Sequence, residues 1–280
     1  MKVEAGRPFE ARGMLVTGLS RNGKTHELER AIAGLHDRQE LMPDGRPARI
    51  VHCLLTRSVS WKELGRKTVE AMGYPMPNPR NAGYAWDMVL HEARAQGIIG
   101  IHYDEAQHVF GEGTVRTNER FLYDFKTLLK DRRRPLMLIL SSVPSLADHV
   151  HKYEQLDELL EPVKLESTDL SNREDLTELI DLTHTYAAAA EVAIEPIVTQ
   201  DFLHRLSHAA AQRWGIVNEL LIEALILCKF SGAQSCTIDH FVQAFAQRTK
   251  IPDGYSPVTV EDYEICVEPA KLKKLMQIDD

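Results

Sequence analysis

The most chemically informative part of the chain is a run of eight residues near its start, ending in a glycine, a lysine and a threonine. The run is Gly18, Leu19, Ser20, Arg21, Asn22, Gly23, Lys24 and Thr25. Glycines let successive backbone N–H groups turn inward and approach an anion closely. Lys24 would reach the terminal phosphates of a nucleotide, and the Thr25 hydroxyl would ligate Mg²⁺. The pattern therefore predicts a loop that holds the phosphates of ATP.

A second feature is a pair of adjacent acids, Asp104 and Glu105, which follows an apolar run over residues 98–103. A site that hydrolyses a nucleotide needs carboxylates at the end of another buried strand. We expect Asp104 to hold Mg²⁺ through water and Glu105 to orient or polarise the attacking water. Together with the loop, these acids predict a Mg²⁺-dependent ATPase in which Lys24 and Glu105 are catalytic.

A pair of serines, Ser141 and Ser142, follows the apolar run over residues 138–140. Hydroxyls at the tip of a strand beside the loop could lie near the γ-phosphate and take part in catalysis. Serine shortly before a helix that starts with proline is equally an ordinary helix N-cap. The sequence leaves both interpretations open.

The elements that must position these residues alternate between strand and helix patterns through residues 1–166. Apolar runs predict strands, and apolar residues at helical spacing predict helices between them. The predicted strands cover residues 14–17, 49–55, 98–103 and 136–140, and the predicted helices cover 25–35, 60–72, 84–96 and 119–130. Strands separated by helices predict an α/β fold, with a parallel sheet sandwiched by helices.

The pattern changes after residue 166, where helices follow one another without a convincing strand. They are predicted over residues 172–190, 199–212, 216–230 and 238–248. We therefore expect an α/β nucleotide-binding domain over residues 1–166 and a small all-α lid domain over 167–250. Several prolines after residue 251 suggest that residues 251–280 form an extended C-terminal tail with little core of its own.

Composition limits the class of protein more than it identifies it. Hydrophobic residues make up 44% and charged residues 26% of the chain, as in ordinary globular proteins. A net charge of −8 gives no support of its own to nucleic-acid binding. No apolar run approaches the roughly 20 residues that span a membrane, and the first residues do not form a signal peptide. We expect a cytoplasmic protein whose four scattered cysteines are reduced and structural.

The motifs together resemble the AAA+ ATPases of transposition modules. The resemblance rests on the loop, on the stretch Asp104-Glu105-Ala106-Gln107-His108, on the strand that ends in Ser141-Ser142, and on a helix that opens at Gly215 with leucine and alanine at set spacings. The similar proteins are of the TniB and TnsC type, and the MuB protein is a more distant relative. The similarity covers roughly residues 12–250.

This resemblance implies a P-loop NTPase (AAA+) fold with a lid, and ATP and Mg²⁺ as cofactors. It also implies a homo-oligomer that assembles on double-stranded DNA and contacts a DDE transposase at a target site. Arg213, just before the lid helix, would touch the nucleotide; a surface or capping role is the alternative.

Two departures from the family pattern matter, the first for hydrolysis and the second for recognition of the base and binding of a partner. Residues 149–166 contain no arginine to complete a neighbouring subunit's site. Arg132, Arg133 and Arg134 could serve instead, contact DNA phosphates or simply be solvated. The chain before the first predicted strand is also short. Two alternatives therefore stay open: another AAA+ switch, such as a loader or a phage or defence ATPase, and a nucleotide-bound scaffold with little hydrolysis.

Overall fold

A computed structural model of the chain describes residues 11–42, 44–78, 81–109, 115–130, 135–266 and 269–276. These residues divide into two units. The first unit comprises the described residues of Met1–Gly18 and Lys24–Leu165, and the second comprises those of Leu19–Gly23 and Glu166–Asp280.

The first unit is built on a five-stranded sheet with strand order β2-β3-β4-β1-β5. The strands are β1 (Gly13–Gly18), β2 (Arg49–Leu54), β3 (Ile98–Asp104), β4 (Met137–Ser142) and β5 (Leu160–Leu165). Every paired neighbour runs parallel. The carboxyl ends of β1, β4 and β3 therefore lie side by side, which is the edge where parallel sheets place their sites.

Six helices accompany the sheet in the described part of this unit. They are α1 (Lys24–Asp37), α2 (Trp61–Ala71), α3 (Ala82–Gln96), α4 (Val115–Leu129), α5 (Ser145–His151) and α6 (Glu154–Asp157). The larger core joins one face of the sheet, through residues such as Ile101 and Leu140, to Val89 and Phe125 of the helices. A smaller cluster on the other face includes Leu28 of α1. Both faces are covered, so the predicted α/β class is confirmed.

One strand was not predicted. β5 has the sequence Leu-Glu-Pro-Val-Lys-Leu, in which charged residues and a proline interrupt the apolar pattern. Among the described strands it pairs only with β1 and so lies at the edge of the sheet, where proline is tolerated because one side of the strand needs no hydrogen-bond donors. An edge strand buries less, so its sequence carries a weaker apolar signal.

The second unit is helical. Its helices are α7 (Arg173–Ala189), α8 (Gln200–Ala209), α9 (Trp214–Ser231), α10 (Ile238–Thr249), α11 (Tyr263–Cys266) and α12 (Pro269–Leu275). They enclose a separate core that includes Leu206, Leu221 and Phe245. Within the described residues the only strand-like pairing of this unit is an isolated bridge between Ala193 and Ser235.

The C-terminal residues differ from the expected extended tail. Val258, Leu272 and Met276 are all buried in the core of the second unit. Leu272 lies on α12, whose lysines alternate with leucines closely enough to leave an apolar side. Prolines interrupt this part of the chain without preventing short helices, and that part of the prediction is wrong.

Serine three residues before glutamate, at Ser60 and again at Ser171, predicts a capping box at the start of α2 and of α7. The structure has the expected N-cap residue at the first position and a different one at the second. Ser60 caps α2 and accepts from the Glu63 backbone N–H, as expected, while the Glu63 carboxylate pairs with Arg66. A capping box was also expected at Ser171. The N-cap of α7 is instead Asn172, which accepts from Glu174 N, and Ser171 bonds to Asp169.

Three of the cysteines, Cys53, Cys228 and Cys236, are reduced and buried. Cys53 lies in the core of the first unit, and Cys228 and Cys236 lie in that of the second. The thiols of Cys228 and Cys236 and a ring nitrogen of His240 come within 4.8 Å of one another, a grouping that their spacing did not predict. The His240 Nδ1 faces the Thr237 backbone N–H at 3.0 Å and takes part in the capping box of α10.

None of the helices in the described residues combines the length and the apolar character that a membrane span requires.

Candidate functional site

Lys24 belongs to the predicted phosphate loop and is the first residue of α1. Its side chain is buried, and the ammonium Nζ donates to the Gly18 carbonyl oxygen at 2.9 Å. Gly18 ends β1, and a Cβ at this position would lie 2.8 Å from the Leu165 carbonyl oxygen of β5. Glycine here is therefore a packing requirement of the sheet as well as part of the loop. The amino end of a helix also presents free N–H groups to an anion.

Thr25 and Asp104, which are distant in sequence, meet at the sheet edge. The Thr25 Oγ1 donates to the Asp104 Oδ2 at 2.7 Å. Asp104 ends β3 and is 1% exposed, while Thr25 lies in the first turn of α1. The hydroxyl and the carboxylate that were predicted as metal ligands are thus already neighbours.

The Asp104 carboxylate is held in its ionised form. Burial alone would raise the pKa of this carboxyl. Hydrogen bonds from Ser141, Thr25 and the Glu105 N–H act in the opposite direction and bring the pKa below its ordinary value. An ionised carboxylate beside a hydroxyl is an oxygen donor set that suits a hard cation.

Glu105 follows directly in a left-handed backbone conformation, with φ of 55°. This conformation is sparsely populated for residues other than glycine, and such strain is concentrated at functional sites. The Gln107 amide donates to the Glu105 carboxylate, and the Ser142 Oγ donates to the Gln107 Oε1 at 2.9 Å. Glu105 is therefore oriented by a short chain of hydrogen bonds that ends on β4.

Ser141 and Ser142 do not cap the following helix. The residue that precedes α5 is Pro144, which makes no side-chain capping bond. The Ser141 Oγ donates to the Asp104 Oδ1 at 2.5 Å, and Ser142 bonds to Gln107. The capping alternative is wrong. The Ser141 hydroxyl bonds to Asp104 directly, and the Ser142 hydroxyl is linked to Glu105 through Gln107. A contact with the γ-phosphate stays a prediction.

Two histidines extend this arrangement across the sheet. The His102 Nε2 lies 2.7 Å from the Ser141 Oγ, and the His102 Nδ1 lies 3.0 Å from the His52 Nδ1. His102 is fully buried on β3, and His52 is its direct partner on β2. Burial lowers the pKa of His102 to about 4 despite the nearby Asp104 charge, with a smaller contribution from His52 in the same direction as burial.

The middle of the predicted loop, Leu19–Gly23, belongs to the second unit. The Arg21 carbonyl oxygen accepts from the Gly215 N–H at 2.8 Å, and the Arg21 guanidinium pairs with Glu219 at 2.9 Å. A Cβ at position 215 would lie 2.6 Å from that carbonyl oxygen, which explains the glycine in the first turn of α9. Arg21 and Gly23 both adopt left-handed backbone angles, as expected of a loop whose N–H groups turn inward.

Arg213 lies immediately before α9 and is 2% exposed, so the surface role is wrong. It occupies the N-cap position without a side-chain capping bond, and its Nη1 donates to the Ser167 Oγ at 2.8 Å. Contact with a nucleotide stays a prediction for this residue. The three arginines at 132–134 lie outside the described residues.

Three residues of the site were not predicted from the sequence: Gln107, His102 and His52. Gln107 belongs to the acidic motif but had no role assigned to it. A histidine in the middle of a buried strand is a polar residue that needs a partner, and His102 carried that signal. The partnership of His52 with it depends on strand register, which the sequence does not state.

The residues present fit a nucleotide with a divalent cation. The lysine ammonium and the amino end of α1 offer positive charge, and Thr25 with Asp104 offers hard oxygen ligands. Glu105, the residue directly after the end of β3, adds an oriented carboxylate.

Comparison with known families gives a match over residues 7–150, just over half of the chain, to the family described as AAA domain. The chain belongs to the AAA domain family. This family places the chain among the AAA+ P-loop ATPases, and the loop and both acids of this AAA domain lie within the matched residues.

Several solved structures share the fold of this AAA protein. The ORC1 protein of Aeropyrum pernix in complex with DNA is 16% identical with a TM-score of 0.64, covering 89% of this chain and 63% of its own. The ORC2 protein of the same organism is 12% identical with a TM-score of 0.62, covering 88% and 64%. The RuvB Holliday junction branch migration motor of Thermotoga maritima is 12% identical with a TM-score of 0.52, covering 99% and 78%.

These likenesses establish the AAA+ fold, and the chain spans less than two thirds of the length of the two ORC proteins. Among curated proteins, no sequence matches this chain.

Proposed function

We propose that the chain binds ATP with Mg²⁺, hydrolyses it, and regulates DNA transposition by contacting double-stranded target DNA and a DDE transposase. The observation that carries the ATPase part is the contact between Thr25 and Asp104 at 2.7 Å, beside the buried Lys24. It joins the loop to the acidic strand end, which is the arrangement that phosphoryl transfer requires.

Each residue then has a defined task. Lys24 binds the terminal phosphates, while Thr25 and Asp104 hold Mg²⁺. When bound, Mg²⁺ supplies positive charge that offsets the charge developing on the transferred phosphoryl group. Glu105 orients a water molecule toward that group and accepts its proton, and Gln107 keeps the carboxylate in place.

The DNA and transposase parts of the proposal rest on different support. The sequence motifs resemble those of transposition ATPases, and two similar structures are of an ORC1 protein in complex with DNA and of a Holliday junction motor. The chain is acidic overall, so any DNA contact must use a local cluster of basic residues, of which Arg132–Arg134 is the densest in the sequence.

The first experiment measures ATP hydrolysis and ATP binding by the full chain and by two variants. We expect Lys24→Ala to abolish both, because the phosphates lose their cation. Glu105→Gln should keep ATP bound while turnover falls at least about 100-fold, since only the proton acceptor is lost. Lys271→Ala and Glu178→Gln alter exposed residues that lie neither in the loop nor at the ends of β3 and β4, and they serve as matched controls.

Unchanged hydrolysis in Lys24→Ala would show that the site is misplaced. A wild-type chain that binds ATP and does not turn it over would instead favour a nucleotide-bound scaffold. That second candidate is motivated by the lack of an arginine over residues 149–166. An arginine finger contributes about 10³–10⁵ in rate where it operates.

The second experiment tests assembly on DNA. Electron microscopy and sedimentation should detect rings or filaments that require both ATP and duplex DNA, and binding should weaken steeply as salt rises. A monomer whose ATPase rate ignores DNA would contradict the transposition role and leave the ATPase assignment standing. An adjacent transposase gene would identify the partner to use in a pull-down.

A further inference from the structure

The side chains of His52, His102, Ser141 and Asp104 form one row of hydrogen bonds across β2, β3 and β4. The Asp104 end of the row determines the donor and the acceptor in each bond. A carboxylate can only accept, and Asp104 accepts from Ser141, from Thr25 and from the Glu105 N–H.

The Ser141 hydroxyl has one proton, which it donates to Asp104; the Ser141 Oγ and the Asp104 Oδ1 are 2.5 Å apart. The other acceptor within reach of that proton, the Tyr103 carbonyl oxygen, is more distant at 3.4 Å. Toward His102, therefore, Ser141 can only accept. The His102 Nε2 must carry a hydrogen, because two acceptors at 2.7 Å would repel each other.

His102 is fully buried, and burial disfavours a charged ring. A neutral imidazole with hydrogen on Nε2 has a lone pair on Nδ1. The only way to satisfy the 3.0 Å contact is then for the His52 Nδ1 to donate its hydrogen to the His102 Nδ1. Each histidine is thus committed to a different tautomer.

We propose that His102 and His52 are positioning residues. They keep the Ser141 hydroxyl donating to Asp104 and so fix the orientation of the carboxylate that faces Thr25. The inference rests on the proposed ATPase function for its catalytic consequence but not for its geometry. If the row is broken at His102, Ser141 loses its donor and can turn its proton toward Tyr103. Asp104 then loses a hydrogen bond and its fixed orientation.

The tautomers can be observed without any nucleotide. Long-range proton–nitrogen correlation spectra of the metal-free protein, labelled with ¹⁵N at histidine, distinguish Nδ1–H from Nε2–H rings. We expect the Nε2–H form for His102 and the Nδ1–H form for His52, with signals assigned by their loss in single variants. A neutral His52 carrying hydrogen on Nε2, or His102 carrying hydrogen on Nδ1, would overturn the proposal.

The catalytic consequence is tested with paired substitutions, because the amide of asparagine replaces Nδ1 in space and that of glutamine replaces Nε2. At position 102 the contact with Ser141 uses Nε2, so His102→Gln should keep most of the turnover and His102→Asn should lose about 10- to 100-fold in kcat. At position 52 the contact uses Nδ1, so the order should reverse: His52→Asn should be tolerated and His52→Gln impaired.

A loss of positioning should lower kcat and raise the Mg²⁺ requirement, while metal-free ATP binding through Lys24 stays the same. Equal impairment by asparagine and glutamine at both positions, in variants that melt at the wild-type temperature, would reduce the histidines to ordinary packing residues and overturn the proposal. If the wild-type chain has no ATPase activity, the proposed function fails, and the tautomer spectra still decide whether the row exists.

Discussion

At the scale of single residues, the buried His102 ring links the site to protein stability. In the folded chain the pKa of this ring is lowered to about 4 by burial, whereas an exposed histidine titrates near 6.5. As pH falls below about 6.5 the unfolded chain takes up a proton that the folded chain refuses. The neutral ring therefore contributes stability above pH of about 6.5, and that contribution is lost as pH falls toward 4.

We expect the free energy of unfolding of the wild type to fall by on the order of 2–3 kcal/mol more than that of His102→Gln between pH 7 and pH 4.5. Urea titrations in the presence of a chelator measure it, since no divalent cation then binds Asp104. His91→Gln, which alters an exposed histidine of α3, should follow the wild-type curve. Parallel curves for wild type and His102→Gln would mean that the ring is not held neutral.

The chemistry of these residues was more predictable than their partners. The loop pattern and the acids at 104 and 105 follow from residue types and spacing, because phosphate and Mg²⁺ constrain which side chains can bind them. The roles of Ser141 and Ser142 could not be chosen from the sequence. Their bonds to Asp104 and Gln107 depend on which strands are neighbours, and strand order is a property of the folded sheet.

At the scale of elements, Gly13 shows how closely the strands of the sheet approach. It opens β1, which lies between β4 and β5. A Cβ there would lie 2.4 Å from the Leu138 carbonyl oxygen and 2.6 Å from the Leu160 Cδ2. The first obstacle is backbone in the neighbouring strand, so the sheet itself would have to shift.

We predict that Gly13→Ala lowers the free energy of unfolding by about 1–3 kcal/mol. Gly34→Ala is the matched control, because a Cβ at Gly34 on α1 meets no atom within 4 Å. That change should stabilise the protein by about 0.5–1 kcal/mol, since alanine has less backbone freedom to lose in a helix. Thermal unfolding followed by circular dichroism gives both signs, and a stabilising Gly13→Ala would contradict the close packing.

Long periodic elements were predicted well and weakly patterned ones were not. The predicted helix over residues 84–96 corresponds to α3, which ends at the left-handed Gly97 as expected. β5 was missed because it is a polar edge strand, and the cap of α7 was misplaced by one residue. Neighbouring serine and asparagine are almost equally good caps, so only the packed structure decides between them.

At the scale of the whole molecule, the C-terminal residues are part of a core instead of an appendage. Leu272 of α12 is fully buried in the second unit, together with Val258 and Met276. The sequence suggested otherwise because three prolines and a glycine follow residue 251 and the helices there are short. A few apolar residues at wide spacing leave no periodic signal.

Leu272→Ala should therefore lower the stability of the second unit by about 2–5 kcal/mol, because a filled site becomes a cavity. Its neighbour Lys271 is exposed, and Lys271→Ala should change stability by less than about 0.5 kcal/mol. Hydrogen exchange resolves the effect by unit, with faster exchange expected in α8 to α10. Equal exchange rates in Leu272→Ala and Lys271→Ala would mean that Leu272 does not contribute to the core of the second unit.

The buried cysteines provide a separate probe of local opening in each unit. Cys53 sits in one core and Cys236 in the other, and burial raises their pKa values to about 11 and about 12. A thiol reagent can reach such groups only while the surrounding structure is open. In a Cys266→Ser variant, the alkylation rate of Cys53 would report how often the first unit opens, and the rates of Cys228 and Cys236 would report the same for the second unit. Both rates could be measured in the same sample without denaturant.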